Sequence, residues 1–342
     1  MRARTVRTSI ALASVAGLLA ACGTSSGGAG ASHSASPASE LSSAVHALGH
    51  AHSLALTFSL GVSGADLLQL ASGFGGDGPT KAQADALGND HIGIEFQAAD
   101  GKTLGETGGL SPGGSAFALT LGDDNQNYFT FEEVAGALYA HIDLRYFLGL
   151  ANGAPSFRKV ERMASGAPAF VRDALAGKWI SLPAATLKSF EGLATGQLGA
   201  TPAPSQFNAL RAKLLSTLLA DLSVTRAASG GTDDLGITFQ LRKLISDEYA
   251  AVAPTLSGLI PGGAALPPLH PAKIPAVSVH LDAFVQNSAL SRVELDAGQF
   301  DTEEHISLPL ELNITQQAPT ITAPGNATPI DLGSIGQLLS AA

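Results

Sequence analysis

Every second residue from Leu54 to Val62 is large and apolar, and small or polar residues fill the places between them. A period of two is the mark of a strand with one buried face. The pattern recurs at Ile92-Ile94-Phe96, Phe117-Leu119-Leu121, Leu138-Ala140-Ile142-Leu144, Leu235-Ile237-Phe239-Leu241, Val277-Val279-Leu281, Val293-Leu295 and Ile306-Leu308-Leu310-Leu312-Ile314. Between the sets lie turn-forming clusters: Asp100-Gly101, Pro112-Gly113-Gly114, Gly122-Asp123-Asp124-Asn125, Gly230-Gly231 and Gln286-Asn287-Ser288. Strands apolar on one side only and joined by short turns predict a large antiparallel sheet. A doubly wound parallel sheet needs strands apolar on both faces, and these are not.

Helical periodicity is rarer. The clearest stretch follows Pro204, with Ser205 as cap and Phe207, Leu210, Leu214, Leu215, Leu218, Leu219 and Leu222 along one side. A second is expected from Ser246 to Leu259, kinked at Pro254, and weaker ones at Glu40–Leu48, Phe157–Met163 and Pro168–Ala176. The chain is therefore read as α+β, a large antiparallel sheet packed against a few helices, in a single domain over 44–335.

The amino terminus predicts a tether. Arg2, Arg4 and Arg7 precede an apolar run from Ile10 to Ala21, too short for a bilayer span of ~20 residues, so residues 1–21 read as a signal peptide. The run ends at Leu19-Ala20-Ala21-Cys22, the pattern at which bacterial lipoproteins are cut and acylated, and Cys22 is the only cysteine in the chain. A diacylglyceryl group on Cys22 would hold the protein to the extracytoplasmic face of the cell membrane. Residues 22–43, rich in Ser, Gly and Ala, are expected to be a flexible linker.

Charge removes other classes. Only 14% of residues are charged, against roughly 25% in an average domain. Loss of the three signal arginines leaves 16 basic against 29 acidic side chains, net −13, so no nucleic-acid partner is expected.

Four features resemble those of actinobacterial lipoproteins of the LppX and LprG type, which share the half-barrel fold of the carrier LolA. They are the acylation pattern at Cys22, the strand Ala137-Leu138-Tyr139-Ala140-His141-Ile142-Asp143, the segment Gly177-Lys178-Trp179-Ile180-Ser181-Leu182, and Thr322-Ala323-Pro324 after the last strand. The resemblance implies an apolar cavity that binds or transports a lipid or glycolipid, with Phe58, Phe96, Phe239 and Leu310 as the lipid-binding residues. The stretches Ser63–Asn89 and Glu191–Leu222 are insertions relative to that family. The alternative is a structural or protein-interaction lipoprotein of the cell envelope with a filled core.

Catalytic and metal motifs dissolve on inspection. Ser111 in Gly109-Leu110-Ser111-Pro112-Gly113 spells a nucleophile elbow, yet a Pro and a strand follow it where a helix is needed. Ser156 and Lys159 match Ser-x-x-Lys without its companion motifs. His46 and His50 have zinc-like spacing but no matching carboxylate, and Asp123, Asn125 and Asn127 begin like a calcium loop that Tyr128 interrupts. No enzyme, metal or cofactor is expected.

Overall fold

The computed structural model describes residues 36–72, 78–107, 115–151, 157–187, 213–214, 216–226, 234–259, 266–300 and 307–331. Cys22, Ser111, Ser156 and the first part of the helix expected after Pro204 lie outside them.

Two antiparallel meanders meet on one strand. Strand β1 (Ser53–Leu60) pairs on one side with β2 (His91–Gln97), which continues through β3 (Ala116–Gly122), β4 (Asn127–Val134), β5 (Ala137–Ile142) and β6 (Ile180–Leu182). On its other side β1 pairs with β11 (Pro309–Gln316). From there the sheet runs back through β10 (Ala289–Asp296), β9 (Ser278–Gln286) and β8 (Asp234–Gln240) to β7 (Ser223–Arg226). A two-residue strand β12 (Thr328–Pro329) adds to β6 in parallel, giving an open sheet of 12 strands. The α+β architecture expected from the alternation is the one the chain adopts.

Turn chemistry sets the hairpins. Ala135-Gly136, with φ of 51° and 76°, joins β4 to β5, and Asn287-Ser288, with φ of 53° and 62°, joins β9 to β10. Two consecutive positive φ values give a type I′ turn, whose twist matches that of the strands it connects.

Several elements depart from expectation. Helix α1 (Pro37–Gly49) begins inside the stretch 22–43 expected to be linker. Ser36 accepts a hydrogen bond from the Ser39 amide and Pro37 occupies the first turn, so a capped start overrides the linker-like composition. Leu144 does not extend β5. Asp143 accepts from the amides of Arg145 and Tyr146 and starts helix α5 (Leu144–Leu150). Strands β4, β7 and β12 lie outside the alternating sets read from the sequence. The helix expected from Ser246 begins five residues earlier, as α8 (Leu241–Leu259), and the stretch Ser63–Asn89, read as an insertion, supplies α2 (Gly64–Ser72) and α3 (Lys81–Asn89). Further helices among the described residues include the single turn α4 (Leu104–Thr107), α6 (Phe157–Met163), α7 (Ala169–Leu175) and a helical stretch at 216–221.

The core lies on one face of the β7–β11 half. Helix α1 crosses β10 and β7 and buries Leu41, Ala44, Val45 and Leu48 there, while α8 adds Leu241 and Leu244. Beneath them Leu235, Ile237, Val279, Leu281, Ala283, Val293, Leu295 and Leu312 are all buried. Packing of this density is what makes a sheet face rigid.

Candidate functional site

Register places one apolar face across the sheet, interrupted at Glu133 of β4, which stands between Phe117 and Leu138. Leu54 stands beside Phe96, Phe117 and Leu138; Leu56 beside Ile94, Leu119, Phe131, Ala140 and Ile180; Phe58 beside Ile92, Leu121, Phe129 and Ile142. On the other side of β1 the same face continues as Ile314, Leu312 and Leu310 and then into the core. The two halves of this face are treated differently. Among the described residues of the β7–β11 half nearly every large apolar side chain on it is buried, down to 0% exposure for Leu235. On β2–β6 none is. Ile94, Phe96, Phe117, Leu119, Leu121, Phe129, Phe131, Leu138, Ile142, Ile180 and Leu182 are half-buried and Ile92 is 43% exposed.

In the β2–β6 half it is the opposite, polar face that is covered. Thr130 and Ser181 are buried on it, as are Ala118 and Tyr128. The Tyr146 ring of α5 stacks on Tyr128 at 3.5 Å between centroids, with the planes 3° apart. The Tyr146 hydroxyl donates to Asp90 at the end of α3, and the Tyr128 hydroxyl donates to Asp123 at 2.6 Å. After α7, the Trp179 ring lies 5.5 Å from that of His141. The chain after β11 runs past polar-face residues: Ser53 Oγ donates to the Ala318 carbonyl at 3.2 Å, and the Ile321 amide donates to Gln97 Oε1 at 2.9 Å. It then joins β6, where the Thr328 amide donates to the Trp179 carbonyl. Among the described residues, α5 and the strap after β11 thus lie on the polar side of this half.

Titratable groups gather on this covered polar face. Glu95 and Glu132 flank Ala118 in register. Burial raises both carboxyls above the ordinary carboxylate range, and the Glu95 charge raises Glu132 further. At the hairpin tip Asp123 accepts from the Tyr128 hydroxyl and from the amides of Asn125 and Gln126, which together hold its carboxyl below the usual range. The order that resembled a calcium loop is a hydrogen-bonded turn. His52 Nδ1 lies 2.6 Å from the Lys102 carbonyl, and His50 is the exposed cap of α1. Among the described residues no group of three His, Cys, Asp or Glu is placed to hold a metal ion.

Of the residues expected to bind lipid, Phe58 on β1 and Phe96 on β2 are half-buried and pack against the edge of the core where the open part of the apolar face begins, Phe96 with its ring 5.5 Å from that of Phe117. Leu310 is half-buried at the border with the core. Phe239 is 8% exposed and sits within the covered half. Phe117, Phe129 and Phe131, not singled out from the sequence, carry most of the aromatic surface of the open half. Of these Phe117 belonged to a recognised alternating set, whereas the other two stand on the unanticipated β4.

No protein-family model matches this chain, and no curated protein matches it in sequence. Among solved structures it is similar to the Mycobacterium tuberculosis lipoprotein LppX, with 10% identity over 84% of this chain and 98% of that one and a TM-score of 0.30. It is similar also to LprF from Mycobacterium bovis, with 8% identity over 85% and 97% of the two chains and a TM-score of 0.32. What the site can hold is decided by the residues of its own apolar face.

Proposed function

We propose that this chain is a membrane-tethered carrier that holds the acyl chains of a lipid or glycolipid against the apolar face of β1–β6. One observation supports the reading above others: the same face is fully packed on one side of β1 and left half-solvated on the other. Apolar surface of that extent is costly in water and marks a site for an apolar partner. Phe58, Phe96, Phe117, Leu119, Phe129 and Phe131 would meet the tails, with Leu310 as the wall toward the core; Phe239, four strands from β1, lies beyond their reach.

The chemistry is non-covalent. Each buried methylene contributes ~0.8 kcal/mol relative to water. A tail leaving a bilayer loses about as much as it regains on such a face, so transfer in either direction stays close to balanced. Attachment through an acylated Cys22 would keep the sheet near its lipid source. Among the described residues no helix is long and apolar enough to cross a membrane.

The test is lipid extraction and native mass spectrometry of the Cys22→Ser protein purified from cells. A co-purifying acyl lipid at near one-to-one stoichiometry is expected. Protein that carries no lipid, and takes up no fluorescent fatty acyl probe after delipidation, would leave a structural or protein-binding lipoprotein as the reading.

A further inference from the structure

At the end of the covered half, the 216–221 helix packs Leu218, Leu219 and Leu222 against the core beside α8. A polar cluster joins the two elements. Lys243 Nζ donates to Asp221 Oδ1 and, at 2.7 Å, to Asp247 Oδ2 one turn further along α8. The Asp221 side chain is only 10% exposed. Its Oδ2 and both oxygens of Glu248 are buried, and none of the three has a hydrogen-bond partner among the described residues.

Three buried acceptors with no donor are an unsatisfied arrangement, because each has lost its water and gained nothing. Lys243, the cation that the described residues pair with this cluster, is already engaged by Asp221 Oδ1 and Asp247 Oδ2. A single proton resolves the arrangement. Placed on Glu248, it turns that carboxyl into a donor and removes one of three neighbouring negative charges. We propose that Glu248 carries a proton while the 216–221 helix packs beside α8, sparing that contact a third negative charge among buried, unpartnered oxygens, so that the latch holds in acid and slackens in alkali.

The groups facing Glu248 are Asp221 from the 216–221 helix and Asp247 from α8 itself, with Lys243 lying between these two aspartates. Burial first, and then the charges of Asp221 and Asp247, push the Glu248 carboxyl up to about 7. A carboxyl whose value is higher in the folded chain than in the unfolded chain takes up a proton on folding. Its contribution is therefore present in acid and lost as pH rises from the ordinary carboxylate range through about 7. Release would free Leu218, Leu219 and Leu222 from the end of the core and locally loosen the covered half.

Hydrogen exchange of the full chain, read by mass spectrometry on peptides spanning 216–222 and 241–250 and corrected for intrinsic rates, tests this. Protection of both is expected to fall about tenfold between pH 5.5 and 8, less than the one-proton limit because Glu248 is only half-buried. In Glu248→Gln, which stays neutral at every pH, the fall should vanish and protection should stay at its acid level. Asp221→Asn should shift the midpoint of the wild-type fall to lower pH. A pH-independent wild type, or an undiminished fall in Glu248→Gln, overturns the proposal. Protection restored at pH 8 by millimolar Mg²⁺ or Ca²⁺ overturns it as well, since the acceptors would then hold a cation. None of these readouts involves a lipid, so the latch and the carrier reading fail separately.

Discussion

Leu281→Ala and Leu119→Ala remove the same atoms from the same face of the same sheet, one on each side of β1. Leu281 is 4% exposed within the core cluster, whereas Leu119 is half-buried on the open side. Truncation in a closed core loses transfer energy and leaves a cavity, at a cost of about 2–5 kcal/mol. For Leu119 no closed cavity forms. Roughly three methylene equivalents at ~0.8 kcal/mol each, halved for partial exposure, give about 1.2 kcal/mol. Urea unfolding of delipidated protein followed at Trp179, the only tryptophan, measures both. With an acyl lipid bound the order changes. Leu119→Ala should then weaken binding about eightfold, the equivalent of that same 1.2 kcal/mol, and Leu281→Ala should leave affinity nearly unchanged. Equal destabilisation of the two ligand-free variants would show that the β2–β6 half is a filled core, and the argument from its exposure would collapse.

Cys22→Ser is expected to move the protein from the membrane fraction to the soluble one on fractionation, since the acyl group is its expected anchor. Tyr146→Phe keeps the ring stack on Tyr128 but removes the hydroxyl that donates to Asp90. A loss of about 1–3 kcal/mol in unfolding free energy should follow, with faster exchange of the α5 amides. Because Glu132 is raised in the folded state by burial and by Glu95, it binds a proton more tightly folded than unfolded. Stability should therefore decline as pH rises through and above the ordinary carboxylate range, and Glu132→Gln should flatten that decline in pH-dependent denaturation.

Most of the sheet was legible because alternation survives wherever one face meets water or polar groups. β4 was not, for a physical reason. Tyr128 on its polar face is buried under Tyr146, while Glu133 sits at the apolar-face register beside Phe117 and Leu138, so the contrast between odd and even positions is blurred. The four residues of β7 are too few to show a period. Helix α1 carried a readable start at Ser36-Pro37 with Glu40 in its first turn, masked by Ser- and Ala-rich surroundings. Which half of the apolar face is covered left no trace in the sequence at all. Leu119 and Leu281 stand in the same local pattern, and only the path of α1 across β10 and β7 separates them.

That path explains how an exposed apolar surface can coexist with a stable fold. A sheet left bare along half of one face would ordinarily collapse or aggregate. Here β1 is hydrogen-bonded on one side to β11, whose residues Leu312 and Ile314 belong to the packed core, and on the other to β2, which opens the half-solvated surface. Rigidity won by burying the β7–β11 half passes along the backbone ladder to the β2–β6 half. There it is reinforced from behind by the Tyr128–Tyr146 stack and by the strap anchored at Ser53 and Gln97. A ligand on such a surface meets side chains already fixed in place and spends little of its binding energy on ordering them. The same division predicts where damage is tolerated. Loss of side-chain volume on the open half of the face should first cost affinity, and loss on the covered half should first cost the fold.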